Sequence, residues 1–344
     1  LNIRIVKMAT KFGTTAISGS YAAQGSQKED LANYISNISR DMTPFMSSIG
    51  KGKASAVTHE WSTDTLAAAS LQAAVEGSSF AESDGPVVQK IDNKTQIFTK
   101  GIRVSGTLEA VDKAGRKSEF KYQTEKRGKE IMRDIEKTLV SQQVKGTQGS
   151  SASGNIQAYA RKMGGYASYA VEAVVAGTAA APTGTGSATC SGDGSDVAKA
   201  ATAHTNADFS LADINEVLRG INGETSAAPS KVMMSTKNKV KFSDLINNTN
   251  MNTRRNIDEK GSLRQSVDLY ESDFGDVELV HNYLMDNTEV FVYDPSLLSV
   301  STLRPIQFRD INEDGDSLRS YMVHECTLEA KSPTGNGIIV DVTA

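Results

Sequence analysis

Four histidines, two cysteines and one acidic hexapeptide are the residues whose types and spacing invite chemistry. His59-Glu60 and His324-Glu325 each begin a His-Glu-x-x-His pattern. In that pattern two histidines one helical turn apart hold zinc and the glutamate acts as base. Thr63 and Leu328 stand where the second histidine belongs, so neither pair makes the motif. His204 and His281 have no such neighbour, and the ordinary reading of all four is a surface or strand-face imidazole. Cys190 and Cys326 lie far apart and form no Cys-x-x-Cys, which excludes a thiolate zinc site and a thioredoxin-type pair. Two free thiols are expected, a usage that fits an intracellular compartment.

Asp310-Ile311-Asn312-Glu313-Asp314-Gly315 matches the first half of a calcium loop, with Asp310, Asn312 and Asp314 as the candidate ligands. Its twelfth position is Tyr321 rather than a bidentate glutamate, and strand-like segments flank it. A hairpin turn on Asp314-Gly315 is the simpler reading. No Gly-x-Ser-x-Gly elbow and no phosphate-binding Gly-x-x-x-x-Gly-Lys loop occurs. Gly184-Thr185-Gly186 lacks a third glycine and follows no strand. No catalytic residue and no cofactor emerge. The Lys237-Asn238-Lys239-Val240-Lys241 run and Arg254-Arg255 are small basic islands. They read as solvated faces or as charge contacts to a neighbouring subunit.

The elements that would position such residues explain why no pocket is apparent. The chain has 344 residues, 37 basic against 41 acidic side chains, and only 6% aromatics. A net charge of −4 excludes nucleic-acid binding by bulk positive charge. The longest uncharged stretch, 173–192, is too rich in Gly, Thr and Ser to span a membrane. Met8-Ala9-Thr10 reads as an ordinary start, which makes Leu1–Lys7 an expected extension or tail. Residues 9–30 are small and polar, as in an extended arm. Leu31, Tyr34, Ile35 and Ile38 then recur at helical spacing, until Pro44 interrupts and Phe45, Met46 and Ile49 form an apolar patch.

Alternation over 57–63 and 95–104 predicts two strands joined by a small-residue tip, a projecting hairpin. An isolated hairpin of this kind is marginal in water. The spacing of Phe120, Gly128, Ile131, Met132, Ile135 and Leu139 predicts a helix over 118–144, with Glu125 and Lys129 paired one turn apart. Its apolar stripe is narrow, so it packs on one side only, and Gly146 and Gly149 would end it. Residues 178–205 approach low complexity and read as a surface loop. A compact α/β unit follows: a helix through Leu211, Ile214, Val217, Leu218 and Ile221, a buried strand 231–235, a helix 240–246, a hairpin around 273–276 and a strand 289–293. From 299 onward the chain is strand and turn. Enzymes concentrate function in a pocket. An arm, a projecting hairpin and a one-sided helix spread it over surface.

The order of several runs carries a resemblance. Asp30-Leu31 through Ile49-Gly50-Lys51-Gly52-Lys53-Ala54, His59 through Ala67, Val104-Ser105-Gly106-Thr107 and Ala110 through Glu119 make up its first half. Ala160 through Gly165, Pro229-Ser230-Lys231-Val232 and Asp316 through Glu329 continue it. Together they resemble the SU-ten-type major head proteins of tailed phages, a family first described only as phage proteins of unknown function. The resemblance implies an α+β, HK-ninety-seven-like phage capsid fold. Residues 1–50 would then be the N-terminal arm and 51–105 the E-loop. The P-domain would span 106–209, with its spine helix at 118–144 and a Gly/Ala/Ser/Thr-rich loop. The A-domain would span 210–298, and 299–344 would return to the P-domain sheet.

The implied function is a major capsid protein that self-assembles into hexamers and pentamers of a head enclosing double-stranded DNA. Its partners would be itself, portal and scaffolding proteins, a decoration protein, and packaged DNA by weak nonspecific contact, with no membrane. It would reside in the virion capsid after assembly in the host cytoplasm. Trp61 and Phe98 are the expected anchors of the E-loop on a neighbour, with Phe45, Arg254 and Arg255 as further inter-subunit contacts. Lys90, Lys94 and Lys100 are available for the kind of crosslink some phage shells form. An encapsulin-like compartment is the alternative of the same fold, and an enzyme of unrecognised class the alternative of another.

Overall fold

The computed structural model describes residues 42–67, 88–113, 116–147, 160–176, 187–197, 199–200, 210–225, 227–248, 268–312, 315–340 and 342, with scattered positions in 69–79. The expected arm and the helix through Leu31 and Ile38 lie outside the described residues. In chain order the elements begin with α1 (Pro44–Ser48), β1 (Gly50–Lys53), β2 (Thr58–Thr63), β3 (Gln89–Lys94), β4 (Gln96–Ser105), α2 (Gly106–Ala110) and α3 (Glu119–Leu139). Next come β5 (Glu172–Val175), β6 (Ser187–Thr189), β7 (Lys199–Ala200), α4 (Leu211–Glu224), β8 (Lys231–Met234) and α5 (Thr236–Asn248). The last are β9 (Leu269–Ser272), β10 (Gly275–His281), β11 (Val290–Tyr293), β12 (Leu298–Ile311), β13 (Ser317–Ala330) and β14 (Gly337–Val340).

The strands form a four-stranded sheet in the order β1-β12-β13-β4, an eight-stranded sheet in the order β7-β6-β5-β14-β11-β8-β10-β9, and the pair β2-β3. The four-stranded sheet carries α3 on one face. Phe98, Ile102 and Val104 alternate inward along β4, and Ile131, Ile135 and Leu139 of the helix are fully buried. Gly128 faces the sheet, where a Cβ would stand 3.7 Å from Met322 Cε, an ordinary van der Waals contact.

Helix α3 starts where the sequence says. The Ser118 hydroxyl accepts from Lys121 N–H at 3.3 Å, and Glu109 Oε2 accepts from Glu119 N–H at 2.9 Å. These satisfy amides that a helix N-terminus leaves unpaired. It stops earlier than expected, at Leu139 rather than near residue 144. The reason is tertiary. Gln143 turns away to donate to Gln96 Oε1 at 2.7 Å and Met163 O at 2.8 Å, while its carbonyl takes Gly165 N–H at 2.7 Å. The helix is therefore about 30 Å long, not 40.

The hairpin also differs. Strand β2 pairs with β3, Trp61 opposite Ile91, and the segment expected as its partner is β4, which pairs with β13. Thr95 marks the break between β3 and β4. It is fully buried, its N–H donates to Val57 O, and its hydroxyl donates to Glu325 at 2.7 Å.

The C-terminal strand does not return to the four-stranded sheet. All four residues of β14 are buried, and the strand lies parallel to β5 and antiparallel to β11. A run this apolar suits a strand covered on both faces. Within the stretch expected as a loop, β6 and β7 form the edge of the eight-stranded sheet. The α/β unit matches its expectation closely. Ile214, Val217, Leu218 and Ile221 of α4 are buried against that sheet, and the Ser210/Asp213 capping box starts the helix. No helix among the described residues is long and apolar enough to cross a membrane.

Candidate subunit-contact surfaces

The β2–β3 hairpin is fixed at its root and uncovered beyond it. At the root, Asn93 is fully buried; its amide donates to Leu328 O at 2.7 Å and its carbonyl accepts from Gly164 N–H at 2.9 Å. Tyr169 donates its hydroxyl to Asp92 O at 3.0 Å, and Lys145 pairs with the Asp92 carboxylate at 2.8 Å. His59 Nε2 lies 3.1 Å from Glu329 Oε2, the oxygen that also accepts from Ser299 and Ser301. Against the desolvation of burial, His59, Ser301 and Ser299 hold the Glu329 carboxyl below the ordinary carboxylate range. Past Thr63 each described residue as far as Ser79 is exposed. Leu66, Leu71 and Val75 are 98%, 108% and 78% exposed. Among the described residues nothing covers these three large apolar side chains.

The residues expected to reach a neighbour divide. Phe45 is completely buried, packed edge-on against Tyr166 and Tyr293 with ring centroids 5.8 Å and 5.3 Å away. Phe98 is buried on the helix side of β4. Both are therefore corrected to core residues: their surface is spent within the subunit. Trp61 is half-buried at the hairpin root, 5.9 Å from the Tyr169 ring and 5.9 Å from His59. Arg254 and Arg255 lie outside the described residues. Among the lysines, Lys90 pairs with Glu60, Lys94 with Asp92 at 2.9 Å and Lys100 with Asp134 at 2.6 Å.

The half calcium motif falls at the turn between β12 and β13. Asp310 is a strand residue opposite Ser320, Gly315 has φ +79°, and Asp314 lies outside the described residues. Among the described residues no group of three metal-ligating side chains converges. Cys190 and Cys326 are buried free thiols. Burial pushes them up to about 11 and about 12, so both stay protonated at neutral pH.

Sequence reasoning missed the buried carboxylates that knit the subunit. Glu136 accepts from the Phe45 and Met46 amides at 2.8 Å each and from Asn282 Nδ2 at 2.6 Å. It ties the N-terminal entry to α3 and to the loop after β10. Burial raises its pKa, opposed by those three donors. Its one sequence signal is a charge beside Ile135 on the apolar stripe.

Glu289, next to β11, is 1% exposed and accepts from Gln142 Nε2 beyond the end of α3; its second oxygen is buried without a partner. Desolvation pushes it from 4.5 up to about 7, with Asp286 adding to the rise and Gln142 and Lys137 opposing it. A carboxyl raised on folding binds its proton more tightly in the native state. Its penalty is full above pH 7 and absent below the unfolded value of 4.5. Glu289→Gln removes that dependence. Thermal melts from pH 8 to pH 5 are expected to show wild type gaining on the variant by about 2.5 kcal/mol. Parallel profiles would refute the assignment.

The hairpin, the long helix under a four-stranded sheet and the separate eight-stranded sheet form an arrangement with known relatives. The family model described as SU10 major capsid protein matches residues 8–343. The chain belongs to the SU10 major capsid protein family. Similarity to the major capsid protein of Escherichia phage Phieco32 is 43% identity over 124 residues. That match spans 36% of this chain and 35% of the relative, so about a third of each.

Solved structures resemble this family member over far more of its length. The cyanophage A-1(L) capsid subunit gives a TM-score of 0.63 at 12% identity, covering 92% of this chain and 98% of that one. The capsid of a native GTA particle gives 0.61 at 10% identity, covering 95% and 100%. Mycobacterium phage Adephagia gives 0.54 at 11% identity, covering 96% and 100%. At these identities the likeness is one of fold: the HK-ninety-seven-like capsid fold, in its mixed α+β form.

Proposed function

We propose that this major capsid family member builds the shell of a tailed-phage head, closing into hexamers and pentamers around double-stranded DNA. The observation that carries the reading is the hairpin, braced at its root by buried polar contacts and bare at Leu66, Leu71 and Val75. As the E-loop, it buries those side chains on an adjacent copy. A head-to-tail contact that closes into a ring gives the capsomers. Apolar burial of about 25 cal/mol per Å² makes each contact modest, and repetition over many copies makes the shell durable. The reading assigns the protein no catalytic step. It places the protein in the virion after assembly in the host cytoplasm, with portal, scaffolding and decoration proteins as further partners.

The test is a triple variant, Leu66→Ser, Leu71→Ser and Val75→Ser. Its subunit is expected to melt within about 0.5 kcal/mol of wild type, because exposed positions contribute little to monomer stability. Its shells and rings are expected to vanish from electron micrographs and from the void volume on size exclusion. Normal particles from the triple variant would overturn the reading.

A further inference from the structure

The loop 282–289, between β10 and β11, is where the eight-stranded sheet meets the end of α3. Three side chains of the helix and its exit hold the loop. Glu136 accepts from Asn282 Nδ2 at 2.6 Å. Lys137 Nζ donates to Leu284 O at 2.9 Å and meets the Asp286 carboxylate at 2.9 Å. Gln142 Nε2, three residues past the last helical residue, donates to Glu289 Oε1. The eight-stranded sheet and α5 hold the loop from the other side. Asn282 N–H donates to Met234 O at 2.8 Å, and Asn238 Nδ2 of α5 donates to Asn287 O at 2.8 Å.

The two ends of this loop are held differently. At Asn282 the joint is complete: Glu136 accepts from Asn282 and from the Phe45 and Met46 amides, so both its oxygens are satisfied. At Glu289 acceptors outnumber donors. Glu289 Oε2 and Asn238 Oδ1 are both buried without a partner among the described residues. The charged groups around Glu289 do not make up the deficit. Lys137 of α3 is already engaged by Asp286 and Leu284 O, Asp286 of the loop itself repels a second carboxylate, and α5 supplies the neutral Asn238. A buried acceptor left unmade costs the full desolvation of that group, and more when it is charged. One proton on Glu289 removes the charge and turns an acceptor into a donor.

We propose that the loop 282–289 is a proton-operated latch: uptake of one solvent proton by Glu289 closes the loop onto the end of α3, and loss of that proton loosens it. The Asn282 end stays anchored, so the movement is confined to the residues leading into β11. Burial pushes the closed-state Glu289 up to about 7, whereas a carboxyl reached by water in the opened loop returns to 4.5. The closed latch is therefore penalised fully above pH 7 and not at all below 4.5. Opening of this kind is local. Both sheets stay folded while the loop alone exchanges between two states.

The test is hydrogen exchange of the full-length subunit, read by mass spectrometry on peptides spanning 282–289 and corrected for the intrinsic effect of pH on exchange. From pH 8 to pH 6 the protection of this loop is expected to rise about tenfold, the change that values of 4.5 and about 7 require. Peptides from β12 and β13 should not follow it. Glu289→Gln, neutral at every pH and able to donate, is expected to be protected already at pH 8 and to lose the response. Lys137→Gln removes the opposing cation and is expected to move the response to higher pH. Flat protection of the wild-type loop overturns the inference, as does a response that survives in Glu289→Gln. An equal rise in β12 and β13 also overturns it, because the proton would then act on global unfolding and not on a latch. Should Glu289→Gln fail to fold by circular dichroism, an unshifted response in Lys137→Gln overturns it instead.

Discussion

Glu325→Ala is expected to lower the unfolding free energy of the subunit by about 3–5 kcal/mol, measured by chemical denaturation of unassembled protein. The carboxylate is 3% exposed and accepts from Arg161 Nη2 at 2.8 Å, Arg304 Nε at 2.7 Å and the Thr95 hydroxyl at 2.7 Å. Those donors come from the segment before Met163, from β12, and from the break between β3 and β4. Deleting the acceptor leaves two guanidinium groups side by side with no counter-charge. Breaking a buried pair costs more than the pair contributes, because the remaining charge keeps its desolvation penalty. Part of that penalty is relieved, since Arg304 is 41% exposed and reaches water. Glu325→Gln retains an acceptor oxygen and should cost less than the alanine. A loss under 1 kcal/mol for Glu325→Ala would show that the node is not structural.

Phe45→Ala is expected to cost about 3–5 kcal/mol, again in the isolated subunit. The ring is fully buried between Tyr166 and Tyr293, and Tyr166 is itself anchored by donating to Val292 O at 2.8 Å and Gly337 O at 3.0 Å. An alanine leaves a cavity walled by aromatic rings already held by these bonds, so little collapse can fill it. The place of the loss matters as much as its size. A residue that contacts only a neighbour would change assembly and leave the monomer melt alone; a core residue lowers the melt before any assembly. The amides of Phe45 and Met46, held by Glu136, keep this entry segment on α3. The substitution should therefore also raise protease sensitivity around residues 42–49.

Several elements were legible because their signals are short-range. The α4 stripe lies within one helical period, and its Ser210/Asp213 capping box is adjacent in sequence. Ser118 announces the start of α3 three residues before the amide it caps. Gly275, with φ +129°, marks the β9–β10 turn that Asp273-Phe274-Gly275-Asp276 predicts. Glu125 and Lys129 pair at 3.8 Å one turn apart, as their spacing requires.

The misreadings share a cause as well. Alternation says that β2 and β4 are strands but not which strand each joins; β3, only six residues long and just before Thr95, takes the place expected for β4. Phe45 after Pro44 looks alike whether it fills a core or meets a neighbour. Glu136, Glu289 and Glu325 are three among 41 acids until folding buries them. Strands β4 and β13 pair across some two hundred residues of chain, so no window of sequence contains the pairing. Caps, turns and periodicities depend on chain neighbours, whose geometry the backbone imposes within a few residues. Strand partners, buried carboxylates and the two sides of a sheet depend on distant segments, and they acquire meaning only when packing brings those segments together.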